Sequence, residues 1–312
     1  MILRRIATYI LALFLLGCSS SVQKEEGILV TANWLQDRFY DPGMVILHVG
    51  TEEMYDSIHI PGANFLDPYG FTVEDEDLRN ELPSVDSIVK LLCAVGIGPD
   101  SRIVLYYEDE DMITRTARVF MTLDYVGLGD RTNVLNGGLT GWVEAAAPRD
   151  RGLRPVTSDN AAAPRDRKVI GDVKEVVMEA HKLNQERWNP EFAIVDARSQ
   201  EEYYGEVDST GQETSGGHIE GAYFMSYGNL LSETDPHIFL EDDVLLKEFE
   251  KAGINRDKTA VYYCGSGVRA SVNYLVARHL GYPALLYDGS IQEWESLALP
   301  MTSPVISPEK NR

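Results

Sequence analysis

Thr259-Ala-Val-Tyr-Tyr-Cys264-Gly-Ser-Gly-Val-Arg269, running into Ala270 to Leu280, is the stretch that decides the fold. The apolar run 259–263 predicts a strand and 270–280 a helix, with six residues between them. A strand, a short loop and a helix make one parallel α/β unit, whose loop lies at the carboxyl end of the strand. Gly265 and Gly267 let the backbone curl around a point, so that successive N–H groups converge while the helix adds the positive end of its dipole. A cysteine held there, beside Arg269, is favoured as a thiolate, the reactive form. The competing reading is a buried core cysteine at a strand end, against which Gly-Ser-Gly stands as poor core material.

The chain repeats itself around this unit. Val45-Ile-Leu-His48-Val-Gly50 parallels Ala193-Ile-Val-Asp196-Ala-Arg198, and His59-Ile-Pro-Gly-Ala63 parallels His218-Ile-Glu-Gly-Ala222. Ile103-Val-Leu-Tyr-Tyr107 parallels Thr259-Ala-Val-Tyr-Tyr263, and Asn136-Gly-Gly-Leu-Thr-Gly-Trp142 parallels Asp288-Gly-Ser-Ile-Gln-Glu-Trp294. Two α/β domains of one fold follow, as 312 residues allow. Residues 28–144 form the first and 169–300 the second. Between them, 145–168 carries Ala-Ala-Ala-Pro-Arg-Asp-Arg twice without apolar periodicity and reads as a linker; 301–312 reads as a flexible tail. In this alignment Glu108 stands where the second half has Cys264, followed by Asp109-Glu110-Asp111, so the first half has no nucleophile there.

The loop, Ile194-Val-Asp196-Ala-Arg198, Glu201-Glu202-Tyr203, Gly217-His-Ile-Glu-Gly-Ala222, Tyr287-Asp-Gly-Ser290 and Trp294 together resemble the rhodanese and mercaptopyruvate sulfurtransferase family in order and spacing. The resemblance implies two tandem rhodanese-like domains, each a parallel sheet flanked by helices, the first an inactive copy that shapes the cleft. It also implies a sulfurtransferase in which Cys264 takes sulfane sulfur from a small anionic donor and passes it, as a persulfide, to a thiophilic acceptor such as cyanide or a thiol. The loop residues Gly265, Ser266, Gly267 and Val268 would surround the outer sulfur. Arg198 and Arg269 would orient the donor, with Asp196 in support. Cysteine-dependent phosphatases also close a Cys loop with Arg, but over five intervening residues rather than the four here.

Three departures bear on the donor. Arg269 occupies a place where two-domain members usually carry Thr, Glu202 one where mercaptopyruvate-specific members usually carry Arg, and Asn80 precedes Glu81-Leu-Pro83 where those members tend to have His. Glu202 would repel a carboxylate, so thiosulfate is the expected donor and mercaptopyruvate the alternative. Gly265-Ser266 pulls the other way, because thiosulfate-specific members often have basic residues there. A module that relays or binds sulfur without turnover is the alternative of another class. His59 and His218 are expected to bond loop backbone, Trp142 and Trp294 to fill equivalent core places, and Cys93 to lie in a helix core. No His/Cys spacing suits a metal, and no cofactor is expected.

The apolar share of 44% and charged share of 25% are ordinary for globular chains. Lys and Arg number 28 against 49 Asp and Glu, a net charge of −21 that argues against nucleic acid and makes an anionic donor depend on local cations. Residues 1–17 read as a signal: Arg4-Arg5, an apolar run from Ile6 to Leu16, then Gly17 before Cys18, too short for a confident membrane span. This resembles a bacterial lipoprotein box with Cys18 as the lipidated residue and 18–27 as a tether. The expected location is the bacterial cell envelope, anchored by lipid and facing periplasm or cell exterior.

Overall fold

The computed structural model describes residues 27–75, 78–145, 147, 169–207, 211, 217–235 and 238–302. Residues 1–17, Cys18, most of the expected tether, nearly all of the linker and the end of the tail lie outside them.

The first half contains strands β1 (Leu29–Val30), β2 (Met44–Val49), β3 (Asn64–Leu66), β4 (Val73–Asp75), β5 (Leu78–Glu81), β6 (Arg102–Tyr107) and β7 (Thr132–Leu135). Its helices are α1 (Ala32–Arg38), α2 (Glu52–Ser57), α3 (Val85–Ala94), α4 (Ile113–Tyr125) and α5 (Gly138–Glu144). The second contains α6 (Ala180–Glu186), β8 (Phe192–Asp196), α7 (Gln200–Tyr203), β9 (His218–Ile219), β10 (Tyr223–Phe224), α8 (Asp242–Lys251), β11 (Thr259–Tyr263), α9 (Ala270–His279), β12 (Ala284–Leu286), α10 (Ser290–Ser296) and β13 (Met301–Thr302). The main sheets run β1-β7-β6-β2-β3 and β10-β8-β11-β12, with every neighbouring pair parallel. Strands such as Ile103–Tyr107 and Ala260–Tyr263 are buried throughout, as near-continuous apolar runs in a sheet covered on both faces require. The α/β reading with two tandem domains is therefore correct.

Several expectations hold in detail. Trp142 and Trp294 are both fully buried. His59 Nδ1 bonds the Tyr55 carbonyl at 2.7 Å and His218 Nδ1 that of Tyr203 at 2.8 Å, so each imidazole bonds main chain as expected, though at α2 and α7 and not at a loop. Cys93 is partly buried against the core near the end of α3, and neither it nor Cys264 forms a disulfide among the described residues. The tail expectation needs correction, because Met301–Thr302 pairs antiparallel with His218–Ile219. The chain entering the second half also leans on the first: Gly171 N bonds Val126 O at 2.9 Å and Lys174 N bonds Tyr125 O at 2.9 Å.

The halves share an interior. Helices α4 and α9 pack against each other, and one apolar cluster runs from Leu47 and Phe120 through to Tyr262 and Tyr274. At that seam Asp124 is a buried carboxylate that accepts from Tyr274 Oη and Arg278 Nε, both at 2.7 Å, and from Lys174 Nζ at 2.9 Å. With burial opposed by these cations and the hydroxyl, its pKa is held below the ordinary carboxylate range.

The sheet registers correct the alignment of the halves by one residue. His48 pairs with Tyr106, and Asp196 with Tyr263. The tyrosine hydroxyls then do equivalent work: Tyr106 Oη meets His48 Nδ1 and Ile60 N, while Tyr263 Oη meets Asp196 Oδ2 and Ile219 N. The counterpart of Cys264 is thus Tyr107 and not Glu108. Strand alternation decides this, since a slip of one residue would send every side chain to the other face. Glu108 comes next and folds back, accepting from Thr51 N at 2.8 Å, Thr51 Oγ1 at 3.1 Å and His48 Nε2 at 3.2 Å. Gly50 makes room for it, because a Cβ there would collide with the Glu108 carboxylate.

Candidate active site

Cys264 directly follows β11 and is 1% exposed at the base of the predicted loop. The loop is pinned from beneath by the segment that starts α10. Ser290 Oγ accepts from Cys264 N at 3.1 Å and from Gly267 N at 3.0 Å while donating to Tyr287 O at 2.9 Å. Ile291 N and Gln292 N bond the carbonyls of Cys264 and Gly265 at 3.1 and 3.3 Å. Among the described residues, the N–H groups of Gly265, Ser266, Val268 and Arg269 take no protein partner. They are the donors left to stabilise negative charge on sulfur as α9 begins.

Gly267 is required as glycine. Its φ is +79°, and a Cβ would stand 2.8 Å from Asp288 Oδ1 and 2.9 Å from Asp288 O. Ser290 is the reverse case, a non-glycine at φ 54° where the first half has Gly138 at φ 51°. Its hydroxyl explains the exception. Sequence reading missed Ser290 as a loop support, although Gly138 against Ser290 in the repeat was a visible signal.

The four expected charged groups are all present, but two are differently engaged. Asp196 accepts from Tyr263 Oη at 2.7 Å and from Arg198 Nη2 at 2.7 Å, and Arg198 Nη2 also bonds Gly217 O at 2.6 Å. Arg198 is 3% exposed and makes no hydrogen bond to the loop among the described residues. Burial pulls its pKa down, yet the Asp196 charge and hydrogen bonds raise it on balance. Arg198 is thus paired with the Asp196 expected to support it, and it braces the interior under the chain leading to β9. Arg269 does sit at the loop, half-buried, but both its Nη atoms bond Glu202 carboxylate oxygens at 2.7 Å. Burial opposes the charged form of each partner, and the pairing outweighs it, raising Arg269 and lowering Glu202. Glu202 is also held by the capping box it forms with Ser199 at α7. It is thus a neutralised anion, which removes the simple repulsion expected from it.

The first half reaches into the site through β4 and β5. Asn80, at φ 63°, donates from Nδ2 to Ser266 Oγ at 3.0 Å and accepts at Oδ1 from Arg115 at 2.8 Å. Arg118, fully buried, pairs with Asp288 and donates to Asn80 O at 2.6 Å, while Leu82 N bonds Asp288 Oδ2 at 2.8 Å. Arg79 exchanges two main-chain bonds with the Gln292 amide, at 3.2 and 2.8 Å. Arg115 and Arg118 were not singled out from sequence: Arg118 meets Asp288 across 170 residues, and Arg115 meets Asn80 across 35.

Beside this contact lies a cleft of about 390 Å³ lined by Glu81, Glu175, Glu179, Asp288 and Glu293 among others. Burial and the nearby Asp288 charge push Glu81 up to about 7 from an ordinary 4.5, against the opposing pull of Arg118. The folded chain therefore keeps a proton that the unfolded chain loses, and stability from this group falls as pH rises from about 4.5 to about 7 and stays low above. Glu81→Gln is expected to raise Tm at pH 8 and to change it little at pH 4; an equal effect at both pH values would count against this.

Comparison with known proteins agrees with the geometry. The Rhodanese-like domain family matches residues 31–145 and 179–297. The chain belongs to the rhodanese family. A sulfur carrier protein of Thermus thermophilus is 30% identical over 86% of this chain and 94% of its own length. A thiosulfate sulfurtransferase of Azotobacter vinelandii is 30% identical over 83% and 91%. The crystal structure of a 3-mercaptopyruvate sulfurtransferase from Escherichia coli superposes with a TM-score of 0.70 at 25% identity, over 85% of this chain and 99% of that one. Relatives of this rhodanese thus include thiosulfate, mercaptopyruvate and carrier proteins.

Proposed function

We propose that this rhodanese is a sulfurtransferase that moves sulfane sulfur from thiosulfate to cyanide or a thiol through a persulfide on Cys264. The supporting observation is the buried Cys264 beneath a loop whose Gly265, Ser266, Val268 and Arg269 N–H groups have no partner among the described residues. The thiolate attacks the outer sulfur of thiosulfate; the new S–S bond forms as the donor's S–S bond breaks, and sulfite leaves with the electron pair. The acceptor then attacks the outer sulfur and regenerates the thiolate. Loop N–H groups stabilise both thiolate and persulfide, and act without reorganisation because Ser290 has already fixed the loop. Thiosulfate is put ahead of mercaptopyruvate because Glu202 stands where mercaptopyruvate-specific members usually carry a carboxylate-binding Arg, and here it engages Arg269 instead.

Incubation of the chain with thiosulfate should add one sulfur atom to the intact mass, and cyanide should remove it as thiocyanate. No gain with thiosulfate but a gain with mercaptopyruvate would replace the donor. The likeness to a sulfur carrier favours a second reading, a relay that loads without turning over. Loading without release to cyanide or any thiol would decide for it.

The N-terminal pattern ending at Gly17-Cys18 supports a lipid anchor in the bacterial cell envelope. No helix among the described residues is long and apolar enough to cross a membrane. Cys18→Ser should move the protein out of the membrane fraction or leave its signal uncleaved; native protein found in the cytosol with Met1 retained would sink this part of the proposal.

A further inference from the structure

The acidic chain needs a cation to hold an anionic donor, and the two expected from sequence are already balanced. Among the described residues, Arg198 is paired with Asp196, Arg269 with Glu202 and Arg118 with Asp288. Arg115 differs. It stands in the first turn of α4, in the non-catalytic half, and has no carboxylate partner among the described residues. Its guanidinium donates at 2.8 Å to the neutral amide of Asn80, and its carbon centre lies 4.6 Å from the centroid of the Tyr69 ring. A ring face and an amide orient a cation without cancelling its charge. Tyr69 is 55% exposed, so this cation sits where solvent and a small solute can reach it.

The same Asn80 joins Arg115 to the loop, through its 3.0 Å bond to Ser266 Oγ, two residues from the nucleophile. Within 264–269, Ser266 and Arg269 are half-buried while the other four residues are buried, so an incoming donor meets this side of the loop. We propose that Arg115 binds the anionic end of the sulfur donor, so that the catalytically empty half supplies the donor-binding charge. Its planar fork of N–H groups suits the oxygens of a sulfonate-like or carboxylate end. Asn80 is the positioning residue that keeps the fork beside the loop. This inference rests on the sulfurtransferase reading above.

In a ping-pong cycle the donor and the acceptor are met by different enzyme forms, which separates donor binding from general damage. For the full chain with thiosulfate and cyanide, Arg115→Ala should lower kcat/KM for thiosulfate about 10- to 100-fold while that for cyanide is unchanged. Arg115→Lys should retain part of the lost activity, as a point charge without the fork. An unchanged donor constant, an equal fall in both constants, or the same selective loss in Arg79→Ala in place of Arg115→Ala would overturn the assignment. Should thiosulfate fail to load the wild type, mercaptopyruvate takes its place in the same measurement. A wild type that accepts sulfur from neither donor, read by intact mass, would overturn the sulfurtransferase reading and this inference with it.

Discussion

Cys264→Ser is expected to abolish sulfur transfer and to leave the chain at its original mass after exposure to thiosulfate. A hydroxyl is neither acidic nor thiophilic enough to hold a persulfide, and Cys93, the other thiol among the described residues, is on α3, packed against the first half's core. The fold should survive. Cys264 is 1% exposed, so the substitution buries a hydroxyl in place of a thiol, at about 1–3 kcal/mol if the hydroxyl finds no partner. Main-chain bonds from Cys264 to Ser290 and Ile291 do not depend on the side chain. Turnover by a well-folded Cys264→Ser variant would refute the persulfide route, and Cys93→Ser serves as the comparison that should keep its rate.

Arg118→Met is expected to be strongly destabilising. The Arg118 side chain is fully enclosed and that of Asp288 is 9% exposed. Removing one partner leaves the other as an uncompensated buried charge, which costs about 3–5 kcal/mol. Asn80 O loses its donor at the same time. Because Asp288 also sits against Gly267 and receives Leu82 N, activity should fall together with stability. The double variant Arg118→Met with Asp288→Asn removes both charges and should recover much of the stability, since replacing both members of a buried pair is commonly close to neutral. Urea unfolding of the three variants gives the comparison; a loss below about 1 kcal/mol for Arg118→Met would show that the pair is not what joins the halves here.

The place of Cys264, its glycine-rich loop and the tandem architecture were legible because each is local: a strand, a turn and a helix in succession, repeated. Charge state in the folded site was less legible. Arg198 and Arg269 are visible as cations, but that Asp196 and Glu202 neutralise them depends on side-chain direction. Arg115, Arg118 and Asn80 gain their meaning only when α4 meets α9 and β5 meets the loop, contacts between distant parts of the chain that no short window contains. The slip that set Glu108 opposite Cys264 had a similar cause. Two consecutive tyrosines, Tyr106-Tyr107, fit the motif Tyr262-Tyr263 in either of two ways, and only the ladder with β2 chooses.

That choice makes the divergence of the two halves irreversible by small steps. Tyr107, fully buried, holds Gly137 N through its hydroxyl, and its ring occupies the space beside Gly138. Exchanging the ring for cysteine would open a void worth about 3–5 kcal/mol, before any loop existed to activate the new thiol. Glu108, with its bonds to Thr51 and His48, would still fill the neighbouring ground. Each ancestral-like reversion is thus harmful alone and useful only in company. Selection acting one substitution at a time would therefore keep a thiol out of the place that Tyr107 fills.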